Sequence, residues 1–390
     1  MKHVFFIFVY FLSANSYSQD LISVATTFLN DKNYVEAKGA IDEAFSKTGA
    51  SDNPRAWFMK ARIYHEILES KYASLNQFKN NPTEFITSVV EAYNKTLSLT
   101  TRTSNLQVLA KNQMEILWAN GINEGTRLYQ SQKYEEAIAA FEIAKLSKPN
   151  ETRGYVFTAL CAIYVGKYEL AVENYMAAKD LDILSEQAYD GLIIAKRSLR
   201  ASDEELLDVV GDARFNYPNN IKYIIEEVRT LIRLNKLEEA ESVINTAVTR
   251  NPGDNQLVIR QADLFDIIFK AAYINGQPER SERYFEQAST SYERFLTAVP
   301  ESFTGNYNYS VMIHEQANRV YTRINLMSDE EYEMSGKETE EIGHDWTRKA
   351  LPYMEKAWEI KPGDKKVLEA LRVFYSRLKM DEKLAALNQN

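Results

Sequence analysis

Residues able to carry chemistry are few and far apart in this chain. Histidine occurs only as His3, His65, His314 and His344, too scattered for two ring nitrogens to meet at helical spacing. His314 sits in "YSVMIHEQA", where the His-Glu step lacks the second histidine four residues on that a zinc hydrolase helix needs. A surface or hydrogen-bonded histidine is the plainer role. The only cysteine, Cys161 in "ALCAIY", has apolar neighbours and reads as a small buried hydrophobe. There is no glycine loop to cradle a phosphate and no Gly-x-Ser-x-Gly elbow to present a nucleophile. The acidic run Ser328 to Asp345 holds eight acids but lacks the alternating Asp/Asn and central glycine of a calcium loop. It reads as a solvated insertion. These residue types at these spacings imply a non-catalytic protein with no cofactor and no metal.

The elements that must position any site come from a repeat. "KYEEAIAAFEIAKLSKPN" (133–150) is followed 34 residues later by "KYELAVENYMAAKDLD", superposing Tyr134 on Tyr168, Ala137 on Ala171, Phe141 on Tyr175 and Ala144 on Ala178. Alanines three and four residues from a bulky side chain form one helix face on which a neighbouring helix can come close. Pro149 stops the first copy, as a residue without an amide proton does, and Pro218 and Pro252 stand at the same 34-residue interval further on. A packed helical hairpin, used many times, is the consequence.

The start of the chain is different in kind. A short basic Met1-Lys2-His3 precedes the apolar run Val4 to Leu12, and Ser16 and Ser18 precede Gln19 at the small-residue positions of a cleavage site. Nine apolar residues are too few to span a bilayer, so residues 1–18 read as a cleaved signal peptide and the mature chain as exported, periplasmic or secreted. No cysteine follows for a lipid anchor, and one cysteine excludes an internal disulfide framework. Loss of Lys2 leaves 45 basic residues against 55 acidic ones, which argues against nucleic acid and anionic membranes as partners.

At this point the chain resembles the tetratricopeptide-repeat (TPR) family, whose 34-residue unit carries W-x2-L-G-x2-Y in one helix and A-x3-F-x2-A-x4-P in the next. "WFMKARIY" places Trp57, Ala61 and Tyr64 on the first half. Ala137/Phe141/Ala144/Pro149 and Ala240/Ile244/Ala247/Pro252 match the second. The resemblance implies an all-α, right-handed superhelical solenoid of about eight antiparallel pairs and a capping helix at about 364–387. Residues 19–390 then form one repeat domain, regular over about 118–254 and lengthened over about 54–99, 255–301 and 303–362. Within the lengthened part, Asn275 to Pro278 should be a turn, and Pro352 should delay or kink its helix.

In this family the first helices line the binding wall, and counting along them assigns a lining here. Arg62, with Phe58 and His65, comes from the second unit; Ile122 and Tyr129 come from the third; Arg153, Leu160 and Tyr164 from the fourth; and Arg229 and Arg233 from the sixth. The chaperone-tail clamp of the family requires Asn at the ninth position of that helix, where this chain has Arg62, Thr126, Leu160, Ala195, Arg229 and Asp263. That clamp is absent. The implied function is a scaffold binding a protein or peptide with apolar anchors and acidic flanks. A fixed subunit of an envelope assembly, of the secretion or surface-motility type, is the alternative, and a helical toroid acting on glycans stands third.

Overall fold

The computed structural model describes residues 19–47, 49–70 and 82–387. The expected signal at 1–18 lies outside the described residues, as does most of the irregular stretch at 66–82. All regular structure among the described residues is helical. In unit 1, up to Ala201, the helices are α1 (residues 19–30), α2 (Tyr34–Ser46), α3 (Pro54–Glu69), α4 (Pro82–Ser98), α5 (Asn105–Gln130), α6 (Tyr134–Ser147), α7 (Thr152–Tyr164), α8 (Tyr168–Leu181) and α9 (Glu186–Ser198). Unit 2, from Ser202, holds α10 (Asp203–Asn216), α11 (Ile221–Arg233), α12 (Leu237–Arg250), α13 (Asn255–Ile274), α14 (Pro278–Ala298), α15 (Phe303–Asn325), the short α16 (Asp329–Glu331), α17 (Lys337–Ile360), α18 (Lys365–Arg377) and α19 (Asp381–Leu387).

One backbone device closes most of the hairpins. Where a first helix ends, a residue in the left-handed region follows: Lys32, Gln132, Gly166, Arg200, Asn235, Gly276 and Lys379. The next amide then reaches back to the last turn. Lys133 N donates to Leu128 O at 2.9 Å, Lys167 N to Ala162 O at 2.8 Å, Lys236 N to Leu231 O at 2.9 Å and Met380 N to Tyr375 O at 2.8 Å. This Schellman geometry satisfies carbonyls that a helix end would otherwise leave bare. Glycine supplies the positive φ without cost only at Gly166 and Gly276; elsewhere a side chain tolerates it.

Several first helices, though not α5 or α7, begin on side-chain caps. Asn53, Asn220 and Asp254 accept from Arg55 N, Lys222 N and Gln256 N at 2.9, 3.0 and 2.9 Å. Between the helices of a pair the repeat alanines do what their spacing requires: Ala137, Ala171, Ala240 and Ala178 are wholly buried, beside the buried rings of Phe141 and Tyr175. Gly125 and Gly191 complete this fit, because a Cβ on either would lie well inside contact distance of Phe141 or Tyr175.

Two expectations change. The closing helix is two helices, α18 and α19, since Lys379 adopts φ 56° and repeats the hairpin turn, so a further pair stands where a single helix was expected. Pro352 does not delay its helix, for α17 already runs from Lys337 through it to Ile360. The acidic run, read as a solvated insertion, is mostly exposed and is helical: Ser328 caps α16 with a reciprocal Ser328–Glu331 box, a π-helical stretch Tyr332–Gly336 follows, and α17 continues it. Its outer face is exposed, while Gly343 packs against the Tyr321 ring of α15. The turn at Asn275 to Pro278 is present as read, with Gly276 at φ 67°.

Candidate functional site

On unit 1 the first helices α3, α5 and α7 carry eight of the ten lining residues. Arg62 borders a cavity of about 310 Å³ with Glu66, Glu69, Leu109 and Ile116. Phe58 and His65, counted as lining, border the same cavity, although they are only 6% and 5% exposed. Further along, Tyr129 and Tyr164 do meet, with ring centroids 5.9 Å apart. Tyr134, at the start of α6, stacks on Tyr164 at 4.6 Å and makes the pair a cluster of three. Ile122 and Tyr129, both half-buried, pack against the same buried cluster around Phe141, and Leu160 is also half-buried. The Tyr164 ring stays 55% exposed, so the cluster offers an aromatic face to solvent. Hydrogen bonding to Tyr164, then burial, pushes the Tyr129 hydroxyl up to about 12, so it keeps its proton at neutral pH. Arg153 is not a free charge: it pairs with Glu151 at 2.9 Å and lies over Trp118 at 4.5 Å, beside Lys148 at 4.2 Å.

On unit 2 the geometry is a groove. Residues of three successive first helices, α11, α13 and α15, enclose about 410 Å³. Its apolar lining is Ile225, Val228, Ile232, Ile267, Tyr307 and Val311. Arg229 lines it but is held by Glu226 at 3.4 Å, and Arg233, near the end of the same helix, is held by Asp203 at 2.7 Å. The groove's other charges are matched in the same way. Asp263 accepts from Tyr292 Oη at 2.9 Å, Asn308 Nδ2 at 3.0 Å and Arg260 Nη1 at 3.1 Å. Asp266 pairs with Lys270 at 2.7 Å, yet burial holds its carboxyl above the usual range and its Oδ1 has no partner.

Sequence counting did not reach Ile267, Tyr307 and Val311. The signal for them was available, because the same count applied to α13 and α15 falls on Asp266, Ile267, Tyr307, Val311 and His314. His314 is satisfied, as its motif context suggested, through a contact with Arg377 at 2.8 Å. Cys161 is fully buried, and burial pushes its thiol up to about 11, away from nucleophilic chemistry.

The chain matches no family model and no curated protein. Among solved structures it is similar to a MamA protein at 15% identity and TM-score 0.35, over 46% of this chain and 93% of that one. It is similar to YrrB, described as a TPR protein with an unusual peptide-binding site, at 14% identity and TM-score 0.34, over 52% and 93%. The TPR domain of P58(IPK) aligns over 94% of this chain and 99% of its own, at 15% identity and TM-score 0.27. On its own helix pairs, their turns and their 34-residue interval, the chain resembles the tetratricopeptide-repeat proteins.

Proposed function

We propose that this protein is an exported, non-catalytic interaction scaffold, and that the groove across α11, α13 and α15 holds an extended or helical protein segment by its apolar side chains. The observation that carries this reading is the groove's make-up: an apolar floor drawn from three consecutive first helices, with its charges already paired inside the chain. Apolar anchors seated in a desolvated pocket dominate affinity, whereas rim charges mainly steer association. Because Arg153, Arg229 and Arg233 each have an acidic partner, steering by them is weak, and the acidic flanks of a ligand are not their task. The tyrosine cluster at Tyr129 and Tyr164 is the corresponding anchor surface on unit 1.

A photo-crosslinking residue at Ile267, in the groove, and one at Phe215, exposed on α10 outside it, test the reading. Crosslinks to one protein from position 267, lost when Ile232 is changed to Asp and absent from position 215, are expected. Equal labelling from both positions would refute the groove. Export rests on residues 1–18, and the expected mature start is Gln19; intact mass of the protein from the exported fraction checks it, with a retained Met1 as the contrary result.

A further inference from the structure

Arg377 closes α18 and is half-buried, and its surroundings differ from those of the groove arginines. Its Nη1 donates to His314 Nε2 at 2.8 Å and to Asn318 Oδ1 at 3.0 Å, both on α15. Its guanidinium carbon lies 4.1 Å from the centre of the Tyr321 ring. All of these partners are neutral. Burial, then the Arg377 charge, pushes His314 down to about 4, so the ring accepts through Nε2 and carries its proton on Nδ1. Arg229, Arg233 and Arg260 each face a carboxylate, but no carboxylate pairs with Arg377 among the described residues. Its place at a helix C-terminus favours a cation only modestly. A half-buried charge opposed by neutral acceptors alone is an incomplete arrangement.

What is missing can be read from the hydrogens. Both Nη1 hydrogens are taken, leaving the Nε–H and Nη2–H edge without a protein partner, and neither nitrogen is sealed from solvent. That edge presents two parallel donors, the spacing a carboxylate accepts in a two-pronged pair. His314 and Asn318 also lie three and seven residues beyond Val311, on the stripe of α15 that lines the groove. At 1.5 Å per residue, Asn318 is about 10 Å along the helix from Val311.

We infer that Arg377 is a carboxylate-binding site, aligned by His314, Asn318 and Tyr321, which receives an acidic side chain or the C-terminal carboxylate of the segment lying in the groove. The path of that segment rests on the groove proposed above; the affinity of Arg377 for a carboxylate does not.

The test uses the full chain with arginine labelled at Nε, followed by NMR during titration with acetate, inorganic phosphate, N-acetyl-leucine and the α-amide of N-acetyl-glutamate. The expected result is a saturable shift of the Arg377 Nε–H signal with acetate, weaker with phosphate, and tighter with one of the two amino-acid probes. N-acetyl-leucine would identify a chain terminus as the source, and the glutamate amide a side chain. Arg377→Lys keeps the charge and loses the two-pronged edge, so acetate affinity read from a neighbouring labelled arginine or by calorimetry should fall roughly tenfold with helicity unchanged. No saturable shift with any carboxylate, equal shifts with phosphate and acetate, or unchanged affinity in Arg377→Lys would each overturn the site. Failure here leaves the Ile267 crosslinks standing, and failure of those crosslinks leaves an acetate shift standing.

Discussion

The first-helix faces of the two units solve the same problem with different side chains. Unit 1 exposes rings: Tyr134 and Tyr164 stack in the open, and Trp118 lies beneath Lys148 and Arg153. Unit 2 exposes little aromatic surface in its groove and instead holds Asp263 and Asp266 there, each joined to a cation one turn away on α13. An aromatic face can be truncated with small effect on folding, because water already reaches it. A half-buried carboxylate that ties several helices cannot. The units should therefore respond to substitution in opposite ways, unit 1 losing binding and unit 2 losing stability.

The largest effect should come from Asp263→Ala, which leaves the hydroxyl of the fully buried Tyr292 and the Asn308 amide without their shared acceptor. We expect unit 2 to lose about 3 kcal/mol in urea unfolding, from the unmet donors and the unpaired Arg260. Tyr164→Ala should by contrast change stability little. Equal losses in the two variants would erase the contrast.

His314 gives a second handle on unit 2. Its folded value of about 4 lies below the 6.5 of a free ring, so the unfolded chain binds the extra proton between those limits. Stability contributed by the neutral ring is complete above about pH 6.5 and is lost as pH falls towards 4, by no more than about 3 kcal/mol. His314→Gln should flatten that part of the pH dependence relative to the parent, as measured by denaturant unfolding at a series of pH values. An unchanged slope would mean that the ring titrates alike in the folded and unfolded chains.

Gly125→Ala probes how tightly unit 1 is packed behind its open rings. The new Cβ would press on Phe141, itself buried, and overpacking of this kind costs about 2 kcal/mol. Gly166→Ala is the smallest change: nothing lies near the added methyl, so only the left-handed backbone at φ 73° resists it, by about 1 kcal/mol. Thermal melting of the two variants ranks them, and the reverse order would place the strain in the turn rather than in the pair.

Much of this was legible in the sequence because the fold writes itself locally. The alanines at 137, 144, 171 and 178 are buried because a hairpin leaves room for little else, and each hairpin announces its own faces. The pairing of α18 with α19 was not legible, since Lys379 in a left-handed turn carries no glycine to mark it. Nor was the helical course of 328–345, where the acids are mostly exposed as read and the Ser328–Glu331 box starts a helix. Half of the candidate site was readable: Tyr129 and Tyr164 meet as counting implied, yet Tyr134 joins them from a second helix that counting ignores. The charges of arginines 153, 229 and 233 were not readable, because their partners sit two or three residues away on the same segment or, for Arg233, on α10. Ion pairing across helices leaves no periodic trace.

The lengths of α13 and α14 carry one more consequence. At 20 and 21 residues they are each seven longer than α11 and α12, which have 13 and 14. Seven residues turn a helix through nearly two full revolutions, short by only about 20°, while advancing it about 10 Å. Growth by that increment in both arms raises the tip of the hairpin and leaves its inward and outward sides where they were. A heptad is thus a neutral unit of elongation for such a protein: gained or lost in both arms together it resizes the shelf, and in one arm alone it strands a two-turn stub without a neighbour.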